Sequence, residues 1–337
     1  MVQSSTNINF RDNCFNLIRY LAAFQVLIGH ANAHLALNLP EYFTTPLGYF
    51  HGVPIFFGLS GYLIWNSANN ISDFKTYFKK RVLRIYPELW LSVLLSIICI
   101  LVFYHKELIL SDLCIFTVTQ STIFQFWTPD SLRGYGCGTP NGSLWTIGIM
   151  VQFYILIYIL NKVFKKRGKL YWAILFSLSL SAAISYPYIS TIFPHPVLGK
   201  LYSQTVIPYA FLFLIGCFIC EYKDKLLSTL TKTWWIFGII SLFPMLTGWD
   251  IPGSYGIIRS IFLIISIIGM GYALPKLEIK KDLSYGIYLF HMVVINVLIS
   301  LNLKGQIISL PILLIATLLL AWLSNLIVNH IQNKAEH

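Results

Sequence analysis

The chain has 337 residues, of which 56% are hydrophobic and only 11% charged, and its mean hydropathy is +0.68. A soluble globule carries about 25% charged residues, so composition excludes a soluble enzyme and points to a polytopic membrane protein. The net charge is +11, but the basic residues fall in short clusters between apolar runs, so they follow the positive-inside pattern and imply no nucleic-acid partner.

Ten apolar runs read as helices, at 14–36, 47–66, 88–104, 144–161, 171–189, 204–220, 234–248, 256–274, 283–301 and 308–328. Spans of roughly 20 residues with short connections fill this length and leave no room for a separate soluble domain, so 1–337 reads as one all-α membrane domain. No small-residue cleavage site follows the first apolar run, so no cleavable signal is expected. Every second connection is basic. These are Lys75, Lys79, Lys80, Arg81 and Arg84; Lys162, Lys165, Lys166, Arg167 and Lys169; Lys223, Lys225 and Lys232; and Lys276, Lys280 and Lys281. The alternate connections carry only Lys106, Arg133, Lys200 and Lys304, which predicts an even number of spans with both termini cytoplasmic. Residues 108–127 compete as a span. Asp112, Thr117, Thr119, Gln120, Ser121 and Thr122 make them too polar, and counting them would put the Lys162–Lys169 cluster outside. They read instead as an interfacial or re-entrant element in a long external loop, 105–143, ending in turn-forming "RGYGCGTPNGS".

The first run carries the chemistry. In "LIRYLAAFQVLIGHANAHL", Arg19 and His30 are eleven residues apart and share one helical face, roughly 16 Å apart along the axis. Ionisable groups at membrane depth cost several kcal/mol unless paired or hydrated, so they mark a functional cavity. The second run, "GYFHGVPIFFGLSGYLIW", has Gly48, Gly52, Gly58, Gly61 and Pro54, which suit either close helix packing or a broken, cavity-lining helix. In "KKRVLRIYPELW", Arg81 and Arg84 share a face at the cytoplasmic border. They suit either a lipid-headgroup anchor or a clamp for the phosphates of a cytoplasmic ligand.

Further polar residues are scattered. His30, His34 and His51 have no acidic or cysteine ligand beside them, so no metal is expected. His291 at mid-helix either binds substrate or satisfies a buried hydrogen bond. Arg259, a turn inside an external helix end, suits a carboxylate or a sugar. Trp127, Trp145 and Trp249 near the outer face could stack on a sugar ring, and most other aromatic residues fit an interfacial belt. Of the six cysteines, Cys114 and Cys137 share the external loop and read as unpaired thiols, with a disulfide as the alternative.

Five features occur in a fixed order: Arg19 with ten residues before His30, then "GVPIFFGLSGYLI", "RVLRIYP", "NGSLWTIGIMVQFY" and "LSYGIYLFH". From about Phe15 to His291 the chain resembles the membrane-bound acyltransferase 3 family in its stand-alone form. The resemblance implies transfer of an acyl group, usually acetyl from acetyl-CoA as cosubstrate, to a hydroxyl of an extracytoplasmic glycan. A lipid-linked or surface O-antigen or capsule sugar would be the acceptor, and the setting a bacterial cytoplasmic (inner) membrane. It implies His30 as the catalytic histidine with Arg19 as its companion, and Arg81 and Arg84 as the pair serving the acyl-CoA side. His291, Trp145, Arg259 and Gln152 become candidates for the acceptor. Two positions depart from the pattern. Asn16 stands where the family often has aspartate, and Met150 where the SLWT motif usually continues to glutamate. The rival class is a transporter or flippase of polysaccharide intermediates, which the multiple spans and intramembrane charges would also suit, although no inverted repeat is visible.

Overall fold

A computed structural model of the protein describes residues 10, 12–125, 127–164, 168–189, 196–277, 279 and 281–336. Lys165, Lys166, Arg167 and Lys280 of the basic connections lie outside the described residues. Among the described residues the regular structure is helical, with no strand. In chain order the helices are α1 (Phe15–Leu35), α2 (Glu41–Tyr49), α3 (Gly52–Asn70), α4 (Phe74–Phe103), α5 (Leu110–Gln120), α6 (Trp145–Phe164) and α7 (Lys169–Ser185). There follow α8 (Pro196–Ser203), α9 (Ala210–Glu221), α10 (Lys223–Ser241), α11 (Phe243–Thr247), α12 (Ile257–Ala273), α13 (Ser284–Ser300) and α14 (Ser309–Glu336).

Among the described residues six stretches are long and apolar enough to cross a membrane: Glu41–Asn70, Phe74–Phe103, Trp145–Val163, Lys169–Tyr188, Lys223–Thr247 and Ser309–Gln332. Ile207–Glu221, Ile257–Ala273 and Ser284–Ser300 are shorter apolar helices. Large apolar side chains such as Leu178, Ile239, Ile315 and Leu319 stay exposed. Helices with apolar outward faces have lipid as their solvent, and the chain is a multi-pass membrane protein.

Two compact units alternate along the sequence. The first is made of Met1–Ala22, Tyr49–Tyr77 and Gln152–Lys280, and the second of Ala23–Gly48, Phe78–Val151 and Lys281–His337. In the first unit α3 packs on α9 through glycines. A β-carbon on Gly61 would run into the Phe213 carbonyl, and one on Gly216 into that of Gly58. Small residues permit this backbone approach where the hydrophobic effect gives no drive between helices. For Gly58 and Gly61, helix packing is therefore the observed use. The expected break in this segment falls between Tyr49 and Gly52, ahead of Pro54.

In the second unit α13 packs on α14, where a β-carbon on Gly286 would sit 2.8 Å from that of Ala321. The helix expected over 88–104 instead runs through the basic segment from Phe74. Pro87 lies inside it and cannot bond to the carbonyl of Leu83. The helix continues through the proline, and that carbonyl accepts a 2.9 Å bond from Gln332 Nε2 at the far end of α14. Likewise Lys223, Lys225 and Lys232, expected in a connection, lie within α10. The stretch 108–127 contains α5, whose 11 residues are too few for a span.

Candidate active site

Two consecutive hydrogen bonds run through a buried polar group inside the second unit. His291, fully buried on α13, has Nδ1 3.1 Å from the Ile287 carbonyl one turn earlier. Its Nε2 lies 2.9 Å from Nδ1 of His30, which is half-buried on α1. The rings stack with centroids 5.1 Å apart, and His34 meets His30 edge-on at 5.6 Å. A carbonyl can only accept, so Nδ1 of His291 carries the hydrogen. With both rings neutral, His291 Nε2 is then the acceptor and His30 Nδ1 the donor. The tautomers follow from this network, and they leave the lone pair of His30 on Nε2.

The "NGSLWT" segment holds α13 in place around His291. Asn141 Nδ2 donates to the Leu289 carbonyl (2.9 Å) and to Ser92 Oγ of α4 (3.2 Å). Ser143 Oγ donates to Asn141 Oδ1 at 2.7 Å, and the Tyr288 hydroxyl donates to the Ser143 carbonyl at 3.0 Å. Thr146 Oγ1 completes the cluster, 2.8 Å from the Tyr288 hydroxyl, and the Tyr288 ring lies 5.9 Å from that of His291. Further along α13, buried Asn296 donates to the carbonyls of Thr139 and Pro140 at 2.9 and 2.8 Å. Its Oδ1 accepts the Cys137 amide at 2.9 Å. Gly136, at φ +56°, passes so close to the side chain of Asn296 that a β-carbon has no place there. The loop that carries Cys137, Thr139 and Pro140 is thus clamped to the helix that carries His291. Cys114 and Cys137 are both free thiols, and burial pushes that of Cys137 up.

At the other end of α4, Arg84 Nη2 is 3.9 Å from Asp282 Oδ2, with 58% of the arginine side chain exposed. A pair that long and that exposed contributes little, so the guanidinium keeps donors for a ligand. Arg81, half-buried, lies one turn before it on the same helix. The Tyr285 hydroxyl donates to the Ile85 carbonyl at 3.1 Å and ties α13 to this end of α4. Glu88, one turn beyond Arg84, is buried, and its Oε1 accepts 2.6 Å from Ser324 Oγ. Gly286 makes room for it, since a β-carbon there would lie 2.6 Å from that oxygen.

Other candidates are placed individually. Arg19 Nη1 donates to Asn16 Oδ1 at 3.0 Å, so the amide oxygen does the accepting that an aspartate would do. Met150 is half-buried, one turn after Thr146 on α6, and Trp145, at the start of that helix, is half-buried too. Gln152 in the first unit donates from Nε2 to the Gln204 carbonyl (2.9 Å) and accepts the Val206 amide (3.2 Å), which pins the turn ahead of α9. Arg259 donates from Nε and Nη2 to the Tyr255 carbonyl at 3.2 and 2.8 Å and lies over the Tyr49 ring. The structure thus joins His30 to His291 in the second unit, which also holds Arg81, Arg84, Met150 and Trp145, while Arg19, Gln152 and Arg259 belong to the first. Sequence reasoning missed Glu88, Asn141, Tyr288 and Asn296. A polar side chain inside an apolar run is the signal that would have found Glu88 and Asn296. Among the described residues no group of three or more His, Cys, Asp or Glu is arranged to hold a metal ion.

An all-helical membrane domain with a histidine pair held between its helices fits a membrane-embedded transferase. The acyltransferase 3 family model, described as an acyltransferase domain, matches residues 12–326, and the chain belongs to that family. It is a membrane-bound O-acyltransferase. Nodulation protein 10 of Rhizobium leguminosarum bv. viciae is 29% identical over 334 residues, covering 87% of this chain and 86% of that protein. The O-acetyl transferase of Shigella phage Sf6 is 33% identical over 189 residues, 52% of this chain and 54% of that one. A peptidoglycan O-acetyltransferase of Listeria monocytogenes is 28% identical over 180 residues, half of this chain (50%) and 27% of the relative. No solved structure gives a significant match.

Proposed function

We propose that this enzyme transfers acetyl from acetyl-CoA to a hydroxyl of an extracytoplasmic surface glycan, such as an O-antigen or capsule sugar. It would act as a single ten-span domain of the bacterial cytoplasmic membrane, with both termini inside and loop 105–143 outside. The observation that carries the reading is the bond between His30 and His291, which leaves the His30 Nε2 lone pair free for the reaction. The relatives' names add support, since two of them are O-acetyltransferases and one is named for a glycan, peptidoglycan.

In this mechanism His30 Nε2 takes the proton of the acceptor hydroxyl as its oxygen attacks the thioester carbonyl. The imidazolium is held through Nδ1–H by the lone pair of His291, which fixes the ring without taking the proton. The C–S bond then breaks, and the proton passes from His30 to the departing thiolate, which restores the neutral ring. Arg81 and Arg84 hold the phosphates of the donor through charge-assisted hydrogen bonds. Arg19, three turns before His30 on α1, serves the donor side of the same helix.

The test is acetyl transfer by membranes containing the protein, with radiolabelled acetyl-CoA and an isolated surface glycan. His30→Ala is expected to abolish transfer while the protein inserts at its normal level. Near-normal turnover in that variant would remove His30 from the chemistry, and no transfer to any glycan by the unaltered protein would remove the acceptor class.

A further inference from the structure

Beyond the histidine pair, the end of α1 carries another imidazole that the mechanism above leaves unused. His34 lies one turn after His30, and its ring meets that of His30 edge-on at 5.6 Å. In the topology proposed above this end of α1 faces outside, so an acceptor arriving from there passes His34 before it reaches His30. His34 is half-buried, and neither ring nitrogen is sealed in protein.

The loop between α13 and α14 brings a cation to the same place. Gly305, the residue after Lys304, donates its amide at 2.7 Å to the carbonyl of Leu35, the residue after His34. Lys304 is exposed, and its charge acts on His34. Among the described residues neither the ammonium nor the imidazole makes a hydrogen bond or an ion pair. The backbone around them is held in unusual conformations. Of the four non-glycine residues with positive φ among the described residues, three lie here: Ala36 at +50°, Asn38 at +51° and Asn302 at +58°. L-residues avoid this region, alanine more than asparagine, and such conformations persist where the surroundings over-determine them, as they do at ligand sites. Here Asn32 Oδ1 accepts the Leu39 amide at 2.9 Å, and Ser309 Oγ donates to the Leu303 carbonyl at 2.6 Å.

We propose that His34 and Lys304 form an outer subsite for an acidic sugar of the acceptor glycan. Lys304 holds the carboxylate of that sugar, and His34 hydrogen-bonds a hydroxyl of the same ring beside His30. A neutral imidazole offers one donor and one acceptor, which sugar hydroxyls complement. A lipid headgroup at the membrane surface would engage the ammonium alone and give the imidazole no role. The subsite rests on the reading of an extracytoplasmic glycan as acceptor.

The probes are tri-galacturonic acid and its carboxyl-reduced form, which keeps the ring hydroxyls and loses the charge. The full chain is held in phosphatidylcholine nanodiscs, so that no anionic headgroup competes. Equilibrium dialysis at low salt should show the acidic trimer bound about twofold to fivefold tighter, as expected of an exposed ion pair, and the preference should vanish near ~1 M salt. Lys304→Gln should abolish the preference and Lys304→Arg should keep it. His34→Phe should weaken binding of both trimers about twofold to tenfold, the loss of one hydrogen bond. Equal binding of the two trimers by the unaltered chain, or a preference that Lys304→Gln leaves intact, would overturn the subsite and leave Lys304 to lipid headgroups. Acetyl transfer to the same trimers separates this from the broader reading. Selective binding without transfer would keep the subsite and remove the glycan as acceptor, whereas transfer to both trimers at one KM would keep the glycan and remove the subsite.

Discussion

Replacing His291 with phenylalanine tests the histidine relay most directly. The ring is fully buried, and its Nε2 accepts from His30 Nδ1 at 2.9 Å. Phenylalanine has similar shape but no acceptor, so His30 loses both its orientation and the bond that fixes its tautomer. An unmet donor of this kind costs about 1–3 kcal/mol. If that loss falls on the transition state, turnover drops roughly 5- to 150-fold. His291→Gln restores a side-chain carbonyl and should recover part of the rate. Steady-state acetyl transfer at matched membrane levels separates the outcomes. The relay predicts a fall in kcat with the KM for acetyl-CoA unchanged, and partial rescue by glutamine. Wild-type kcat in the phenylalanine variant would refute the reasoning, and equal loss in both variants would reduce His291 to a packing residue.

Three further outcomes are expected. Arg81→Ala and Arg84→Ala should each raise the KM for acetyl-CoA about tenfold or more, because each removes a charge-assisted contact of about 1.5–3 kcal/mol; an unchanged KM with poorer expression would assign the pair to lipid headgroups. Gly61→Val should prevent α3 from closing on α9, with overpacking of about 1–3 kcal/mol or more, read as a lower midpoint for thermal loss of the monodisperse peak in detergent; an unchanged midpoint contradicts the packing described. Met150→Glu should be tolerated and should raise acetyl transfer, since position 150 lies one turn from Thr146, which bonds Tyr288 beside His291; loss of activity or of folded protein would show that the position has no latent acidic role.

Hydropathy made the run of apolar helices legible, because burial in lipid imposes a length and a composition on each segment. It misplaced the start of α4, since Lys75–Arg84 and Pro87 look like a boundary when read locally. The helix passes through them, and Gln332, remote in sequence, donates to the Leu83 carbonyl that the proline leaves without its helical partner. The candidate site divides in the same way. Arg19 and His30 share one helix, so spacing alone put them on one face. Their actual hydrogen-bond partners, Asn16 and His291, differ in kind. Asn16 is a local neighbour whose carbonyl oxygen does the work of a carboxylate. His291 lies across the fold, where no periodicity connects it to His30. Asn141 and Asn296 were hidden for the same reason, as their partners are backbone carbonyls and amides brought near only by folding.

The bond from Gln332 to the Leu83 carbonyl has an evolutionary and a practical side. Pro87 and Gln332 form a dependent pair. A lineage that loses the proline regains the backbone amide and no longer needs the glutamine, whereas one that loses only the glutamine leaves the Leu83 carbonyl to solvent and unties α14 from the arginine segment. Substitutions at the two positions should therefore occur together when related sequences are compared. For anyone engineering the protein, a reporter or affinity tag belongs beyond residue 332, because a fusion cut back past that point would disturb α4 close to Arg81 and Arg84.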